Sequence, residues 1–221
     1  MAFSISNGWD VAHHHVHEGI KHIGNACSIN LTASSKYSDW ESALEWPSLL
    51  AASMDVRQYS VEEHKQCLKA VVLFQAGMEA WISWAYSRPQ LSGKSLPRNF
   101  VDKWTEALDH FSTTHDFSGY ADFYRQVRNP IVHPTSEADV LSIAAIWSDV
   151  VHKGLKQGWG AMEALSSNLA QPFDRNSWST MCGIHHVPPS LDSDALINLH
   201  ELERSMRAKH LSGARGELQN D

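Results

Sequence analysis

The fold of this chain is decided by residues 60–89, which read SVEEHKQCLKAVVLFQAGMEAWISWAYSRP. Ser60 followed by two glutamates is a good start signal, because a serine hydroxyl caps a free N–H and acidic side chains favour the positive end of the helix dipole. Helical spacing then continues until Pro89, through Leu68, Val71, Val72, Gln75, Met78, Glu79, Ile82 and Tyr86. We therefore predict a long, nearly all-round apolar helix at the centre of the molecule.

Two further helical segments are predicted before this central helix. Residues 10–33 carry one helical stripe, whose members are Val16, Ile20, Ile23, Cys27 and Leu31. Residues 39–45 predict a short helix that stops near Pro47, and Pro47 can itself start a second short helix that runs to Met54.

The downstream sequence alternates between helical patterns and polar connections. Residues 89–97 predict a loop, and residues 100–111 predict an amphipathic helix that ends in the polar run 112–116. A further helix is expected from Asp116 or Ser118 through Val127, and it then meets Pro130. A long helix is expected over 136–154, continuing towards Leu165. Residues 172–189 are expected to be irregular, and a last helix opens at Asp192 or Ser193.

No alternation of period two persists long enough to require a sheet, so the predicted fold class is an all-α bundle. Three parts are expected: an N-terminal helical extension packed on the core (1–59), a helical bundle (60–165), and a C-terminal loop and helix (166–221). Tryptophans at helical positions are expected as core or interface anchors, among them Trp81, Trp84, Trp104 and Trp147.

Composition excludes several classes of function. The chain has 221 residues and a net charge of −7, which argues against holding nucleic acid through a bulk positive field. The charge is uneven, since residues 65–160 carry ten cations against nine anions, whereas residues 1–64 carry three against eight. Three scattered cysteines, no signal-like start and no long apolar run indicate a protein of the reducing cytoplasm, without a membrane span.

The candidate chemistry lies in residues 124–134, which read YRQVRNPIVHP. Arg128 is a permanent cation whose donors suit a phosphate, and His133 can exchange a proton near neutral pH. An arginine and a histidine five positions apart are the tools of metal-free phosphodiester chemistry. On an ideal helix they would lie about 140° apart, so we expect a break at Pro130 to fold Arg128 back beside His133.

This pattern resembles the HEPN superfamily, the "higher eukaryotes and prokaryotes nucleotide-binding" helical bundles. The likeness covers roughly residues 60–165 and rests on the helix order and on Arg128, Asn129 and His133. It implies a bundle that pairs across a two-fold axis into a homodimer, with two Arg-x4-His motifs in one composite cleft. It implies no metal or other cofactor, and no DNA or membrane partner is expected.

The resemblance also implies an activity and a role for each residue. Active members cleave RNA by attack of the ribose 2′-hydroxyl, which leaves a 2′,3′-cyclic phosphate. Arg128 would hold the scissile phosphate, His133 would move the proton, and Asn129 would orient one of them. Arg125 and Glu79 are the candidate substrate-binding residues. The implied setting is a prokaryotic toxin or defence effector with an antitoxin protein as a partner.

Some features leave other interpretations open. The tyrosine that many HEPN members carry two residues after the histidine is Thr135 here. Arg128 could instead cap carbonyls or pair with Asp122, with His133 as a satisfied core histidine, and Glu79 could be a partly exposed or structurally paired carboxylate. The alternative function is a non-catalytic HEPN-like module for dimerisation or nucleotide binding.

Three other polar clusters carry weaker signals. His13, His14, His15, His17 and His22 are close in sequence, and the i, i+4 pair His13 and His17 could hold a transition metal, although a solvated helix face explains the cluster better. Cys182, His185 and His186 lack a fourth ligand. Asp109, His110, His115 and Asp116 are best explained as polar residues at helix ends.

Overall fold

A computed structural model of the chain describes residues 6–37, 46–91, 93–136, 143, 146–169, 177–184, 187 and 204. Within these ranges the regular elements are all helical and no strand occurs, which confirms the all-α class. In chain order they are α1 (Ser6–Tyr37), α2 (Trp46–Tyr86), α3 (Phe100–His110), α4 (Ser118–Phe123), a π-helical turn (Tyr124–Arg128), α5 (Asn129–Val132), α6 (Ser148–Asn168) and α7 (Trp178–Cys182). None of these helices combines the length and the apolarity needed to cross a bilayer, as far as the described residues go.

Helices α1 and α2 lie antiparallel, since Gly19 of α1 faces Phe74 of α2 while the earlier Val16 faces the later Gly77. Buried positions on both helices recur in alternating steps of four and three, which is the heptad spacing of a coiled-coil seam. On α1 this seam is Ala12, Val16, Gly19, Ile23, Ala26, Asn30 and Ala33, and on α2 it includes Cys67, Ala70, Phe74, Gly77, Trp81 and Trp84.

The heptad seam explains where the predicted stripe on α1 holds and where it does not. Val16, Ile20, Ile23 and Cys27 are buried as expected, whereas Leu31 is 39% exposed. The prediction for Leu31 is wrong because the buried face follows a 3.5-residue period, which drifts away from an ideal 3.6-residue stripe over several turns.

Helix α2 confirms the predicted central helix but begins earlier than the sequence suggests. Ser60 is not an N-terminal cap, because its hydroxyl donates to the Val56 carbonyl oxygen (2.9 Å) inside a continuous helix. The predicted segment Pro47–Met54 is therefore the first part of α2, and the expected division at residue 60 falls within this helix. Val72 is also not part of the core, being 44% exposed.

The predicted helix over 136–154 is wrong at Ile146 and Trp147, which lie outside any helix, with Trp147 extended (φ −116°, ψ 162°). Helix α6 starts at Ser148, whose backbone N–H donates to the buried Glu63 carboxylate (3.0 Å). Asn30 donates to the Ser148 hydroxyl (3.1 Å). A new helix start supplies the free N–H that this buried carboxylate requires. The expected continuation towards Leu165 is confirmed, and α6 runs three residues further, to Asn168.

Aromatic side chains fill the space between α2, α3 and α4. The Trp104 ring stacks on Trp81 (centroids 5.4 Å apart) and on Phe117 (5.6 Å). Trp81, Trp84 and Trp104 are buried as predicted, whereas Trp147 is half-buried. This aromatic layer is continuous with the segment that carries the Arg-x4-His motif, because Phe100 stacks on Tyr124 (4.7 Å).

The stretch expected to be irregular, 172–189, contains the short helix α7. The buried Trp178 of α7 donates from Nε1 to Nε2 of His152 on α6 (3.2 Å), and this contact stabilises α7 where periodicity gave no signal. The predicted short helix 39–45 lies outside the described residues, as does all of the last predicted helix except Arg204.

The contact between His152 and Trp178 predicts a pH-dependent stability. Desolvation by burial lowers the pKa of His152, outweighing a hydrogen bond to the Ile184 backbone that raises it. The unfolded chain therefore takes up the proton first as the pH falls, so this contribution is fully present above about pH 6.5 and is lost below it.

We expect the urea midpoint of the wild type to fall between about pH 7.5 and pH 5 more than that of His152→Gln, whose amide oxygen still accepts from Trp178 without titrating. Equal pH dependence of the two proteins would exclude His152 as a source of acid sensitivity.

Candidate functional site

The Arg-x4-His motif lies on a helix that widens into a π turn just before the motif's proline. The Asn129 N–H bonds to the Tyr124 carbonyl, five residues back, and Asn129 itself is helical (φ −62°, ψ −45°). The predicted break at Pro130 is therefore wrong. A π turn moves the preceding carbonyls away from the proline ring, so the chain accommodates Pro130 within the helix and continues to Val132.

Arg128 ends the π turn and points its guanidinium towards α2. Its Nη2 donates to Glu79 Oε1 (3.3 Å), and its Nη1 donates to Asn129 Oδ1 (3.2 Å). The guanidinium also lies over the Tyr124 ring, 5.1 Å from the centroid. The side chain is only 16% exposed, so this cation is fixed in place by its neighbours.

Glu79 of α2 contacts the motif through Arg128. The carboxylate also fits the alternative of a partly exposed or structurally paired group, since it forms an ion pair with Arg128 and 44% of its side chain is exposed. Its Oε1 accepts a second hydrogen bond from Gln75 Nε2 (3.0 Å). An exposed carboxylate beside a fixed guanidinium can accept a hydrogen bond from a bound polar molecule.

His133 ends α5 and faces solvent. Its backbone leaves the helix (φ −133°, ψ 63°), and its N–H bonds to the Asn129 carbonyl (2.8 Å). The ring is exposed and makes no hydrogen bond to Arg128, Asn129 or Glu79. The alternative of a satisfied core histidine is therefore wrong, and an exposed imidazole is available for proton exchange.

Arg125 lies on the outer side of the π turn. Its Nη1 contacts Asp122 Oδ1 at 3.2 Å, and both side chains are more than half exposed. Asp122 therefore pairs with Arg125 and not with Arg128. An exposed pair of this kind contributes little stability, which leaves Arg125 free to exchange partners.

Sequence reasoning missed the residues beneath Arg128. Tyr120 and Tyr124 precede Arg128 by eight and four residues, a spacing that places all three on one helix face and could have identified them. The Tyr120 hydroxyl donates to Gln75 Oε1 (2.9 Å), and its burial raises the pKa of the phenol well above the ordinary value.

The three other clusters have different outcomes. The His13 and His17 rings lie 3.8 Å apart, as their spacing predicts, but the described residues contain no group of three side chains suited to a metal. Cys182 is buried, which raises the pKa of its thiol, and its predicted companions lie outside the described residues. Asp116 has the helix-end role expected of it, since it accepts from the Ser118 N–H and hydroxyl (both 2.8 Å).

Comparison with family models, with curated proteins and with solved structures found no match to this chain. The side chains around Arg128 and His133 are therefore the basis for a proposed function.

Proposed function

We propose that this protein is a metal-independent endoribonuclease of the HEPN type that acts as a homodimer. One observation carries the proposal: Arg128 is held by Glu79 and Asn129, while the imidazole of His133, on the same short helical segment, is exposed and makes no hydrogen bond to them. A fixed cation stabilises phosphate charge without reorganising, and an exposed imidazole is able to transfer protons.

The proposed reaction needs one guanidinium and two imidazoles. The ribose 2′-oxygen forms a bond to the adjacent phosphorus as its proton passes to one His133, and the bond from phosphorus to the 5′-oxygen breaks as the second His133 protonates that oxygen. The products are a 2′,3′-cyclic phosphate and a free 5′-hydroxyl. Two copies of the chain supply both histidines, which is why the proposal includes a dimer.

The side chains around Arg128 have matching tasks. Asn129 accepts from Nη1 and so orients the guanidinium, while Glu79 holds Nη2 until a phosphate oxygen competes for it. Arg125, one turn earlier and exposed, is placed to contact a neighbouring phosphate of an extended RNA. Following the resemblance, the proposed setting is a cytoplasmic toxin or defence effector that an antitoxin holds inactive.

The test is cleavage of single-stranded RNA by the purified full chain in excess chelator. We expect 2′,3′-cyclic phosphate ends, and no cleavage of DNA of the same sequence because DNA lacks the attacking hydroxyl. RNA with 2′-O-methyl groups is the matched control and should also stay intact. Cleavage that stops with chelator, or that also occurs on the methylated RNA, would contradict this mechanism.

A second candidate is a non-catalytic HEPN-like module for dimerisation or nucleotide binding. The ion pair between Arg128 and Glu79 favours it, because a neutralised and mostly covered guanidinium is also a structural group. This candidate predicts no turnover on any RNA, together with a higher melting temperature in the presence of a nucleotide that binds the folded state.

A further inference from the structure

A chain of hydrogen bonds runs from the core to the Arg128 site. The Tyr120 hydroxyl donates to Gln75 Oε1 (2.9 Å), Gln75 Nε2 donates to Glu79 Oε1 (3.0 Å), and Arg128 Nη2 donates to the same oxygen (3.3 Å). Tyr120 and Gln75 are each 1% exposed, so the chain begins among fully buried groups and ends at the half-exposed Glu79. None of these contacts involves the backbone.

The direction of each bond is fixed by chemistry. An ionised carboxylate only accepts, so the amide group of Gln75 must turn its NH₂ towards Glu79, and its oxygen then faces Tyr120. The phenol must donate to that oxygen. Burial keeps Tyr120 protonated, because it raises the pKa of this phenol, with a smaller opposing effect from the Arg128 charge. The Tyr120 hydroxyl is therefore a donor in this chain at neutral pH.

The arrangement has a consequence for Arg128. A half-exposed glutamate has several rotamers, and fixing one of them costs conformational entropy. The bond from Gln75 removes that freedom from within the core. Asn129 accepts from the other terminal nitrogen, Nη1, so both terminal nitrogens of the guanidinium have partners before any ligand arrives.

We propose that Tyr120 and Gln75 are positioning residues: they hold the Glu79 carboxylate, and through it the Arg128 guanidinium, in the orientation that receives the scissile phosphate. This inference rests on the proposed function, since it names what prepares the same site. Neither residue touches substrate.

Tyr120→Phe tests the inference because it removes only the hydroxyl. We expect kcat for RNA cleavage to fall about tenfold or more with little change in KM, since a misplaced guanidinium affects the transition state more than binding. The matched control is Tyr86→Phe, which removes another buried tyrosine hydroxyl, one that donates to the Lys103 carbonyl (3.1 Å). The control should leave both constants unchanged.

A second readout does not depend on activity. The Arg128 Nε–H signal in ¹⁵N-edited NMR, assigned by its loss in Arg128→Lys, should shift or broaden in Tyr120→Phe and stay in place in Tyr86→Phe. If Tyr120→Phe does not fold, the double variant Gln75→Met/Tyr120→Phe replaces both partners and leaves no buried group without a partner.

An unchanged Arg128 signal in folded Tyr120→Phe overturns the inference. If the wild type cleaves RNA, a Tyr120→Phe kcat equal to the wild-type value overturns it as well. A wild-type chain that cleaves no RNA contradicts the proposed nuclease instead, and the NMR comparison then decides alone whether Tyr120 positions Arg128.

Discussion

Replacing His133 by alanine is expected to lower the rate of RNA cleavage by about 10²- to 10⁴-fold, the usual contribution of a general acid or base. In the proposed dimer the same substitution removes the base of one subunit and the acid of the other, so the effect should lie towards the upper end of that range. The fold should not change, because the ring is exposed and makes no hydrogen bond to the rest of the motif. Surface substitutions of this kind alter stability by about 0.5 kcal/mol or less.

The measurement is single-turnover cleavage of RNA together with the melting temperature of each protein. His110→Ala is the matched control, since His110 is also exposed; its Nε2 bonds to the Gln90 carbonyl (3.2 Å) and its ring lies edge-on to Phe111 (centroids 4.8 Å apart), away from the motif. The control should retain the wild-type rate. Cleavage by His133→Ala at the wild-type rate would remove His133 from the reaction, whatever the stability of the variant.

Arg128 is the less suitable position for a first test. Its side chain is mostly covered and forms an ion pair with Glu79, so truncation also leaves a carboxylate without its cation. Loss of activity in Arg128→Ala would therefore combine a catalytic and a structural effect, whereas His133→Ala separates them.

The helices were predictable from sequence where buried apolar positions recur over many turns. The periodicity of residues 10–33 and 60–89 located α1 and α2 because their apolar positions keep helical spacing over much of each helix. Ser60 misled the prediction because a serine inside a helix can donate to a carbonyl four residues back, and sequence alone does not distinguish this from a cap.

The breaks in the helices were harder to predict because tertiary contacts decide them. The start of α6 at Ser148 depends on the buried Glu63, which is 85 residues away in the chain. Pro130 predicted a break, but the π turn before it absorbs the steric conflict. Local rules favour one outcome at such positions, and the packed core selects another.

The candidate site was predictable only in part, because tertiary contacts also decide which side chains meet at Arg128. Glu79 was chosen because the HEPN resemblance implies a polar residue of the central helix near the motif, and the structure places it against Arg128. The spacing of Tyr120 and Arg128 could have placed Tyr120 on the same helix face, but its contact with Gln75 depends on the register between α2 and α4, which single-helix periodicity does not contain.

Gly77→Ala is expected to destabilise the protein, although alanine is the better helix former by about 1 kcal/mol. A Cβ at this position would lie 2.5 Å from Val16 Cγ2, 2.8 Å from the Val16 backbone nitrogen and 2.9 Å from the Ala12 carbonyl oxygen. Two of these atoms belong to the backbone of α1, so relief requires the whole helix to move. Overpacking of this kind costs about 1–3 kcal/mol. Since the crossing is at the centre of the core, we expect the clash to outweigh the gain in helix propensity.

The measurement is the thermal midpoint, which for a chain of this size shifts by about 2–4 °C per kcal/mol. Gly119→Ala is the matched control: the three atoms nearest to its Cβ would all belong to the amide end of Gln157, the closest at 2.6 Å, and this side-chain end can swing away. The control should therefore gain helix propensity without a clash of the new Cβ against backbone. Its thermal midpoint should equal or exceed that of the wild type. A Gly77→Ala midpoint as high as that of Gly119→Ala would mean that α1 and α2 are not packed this closely at Val16 and Gly77.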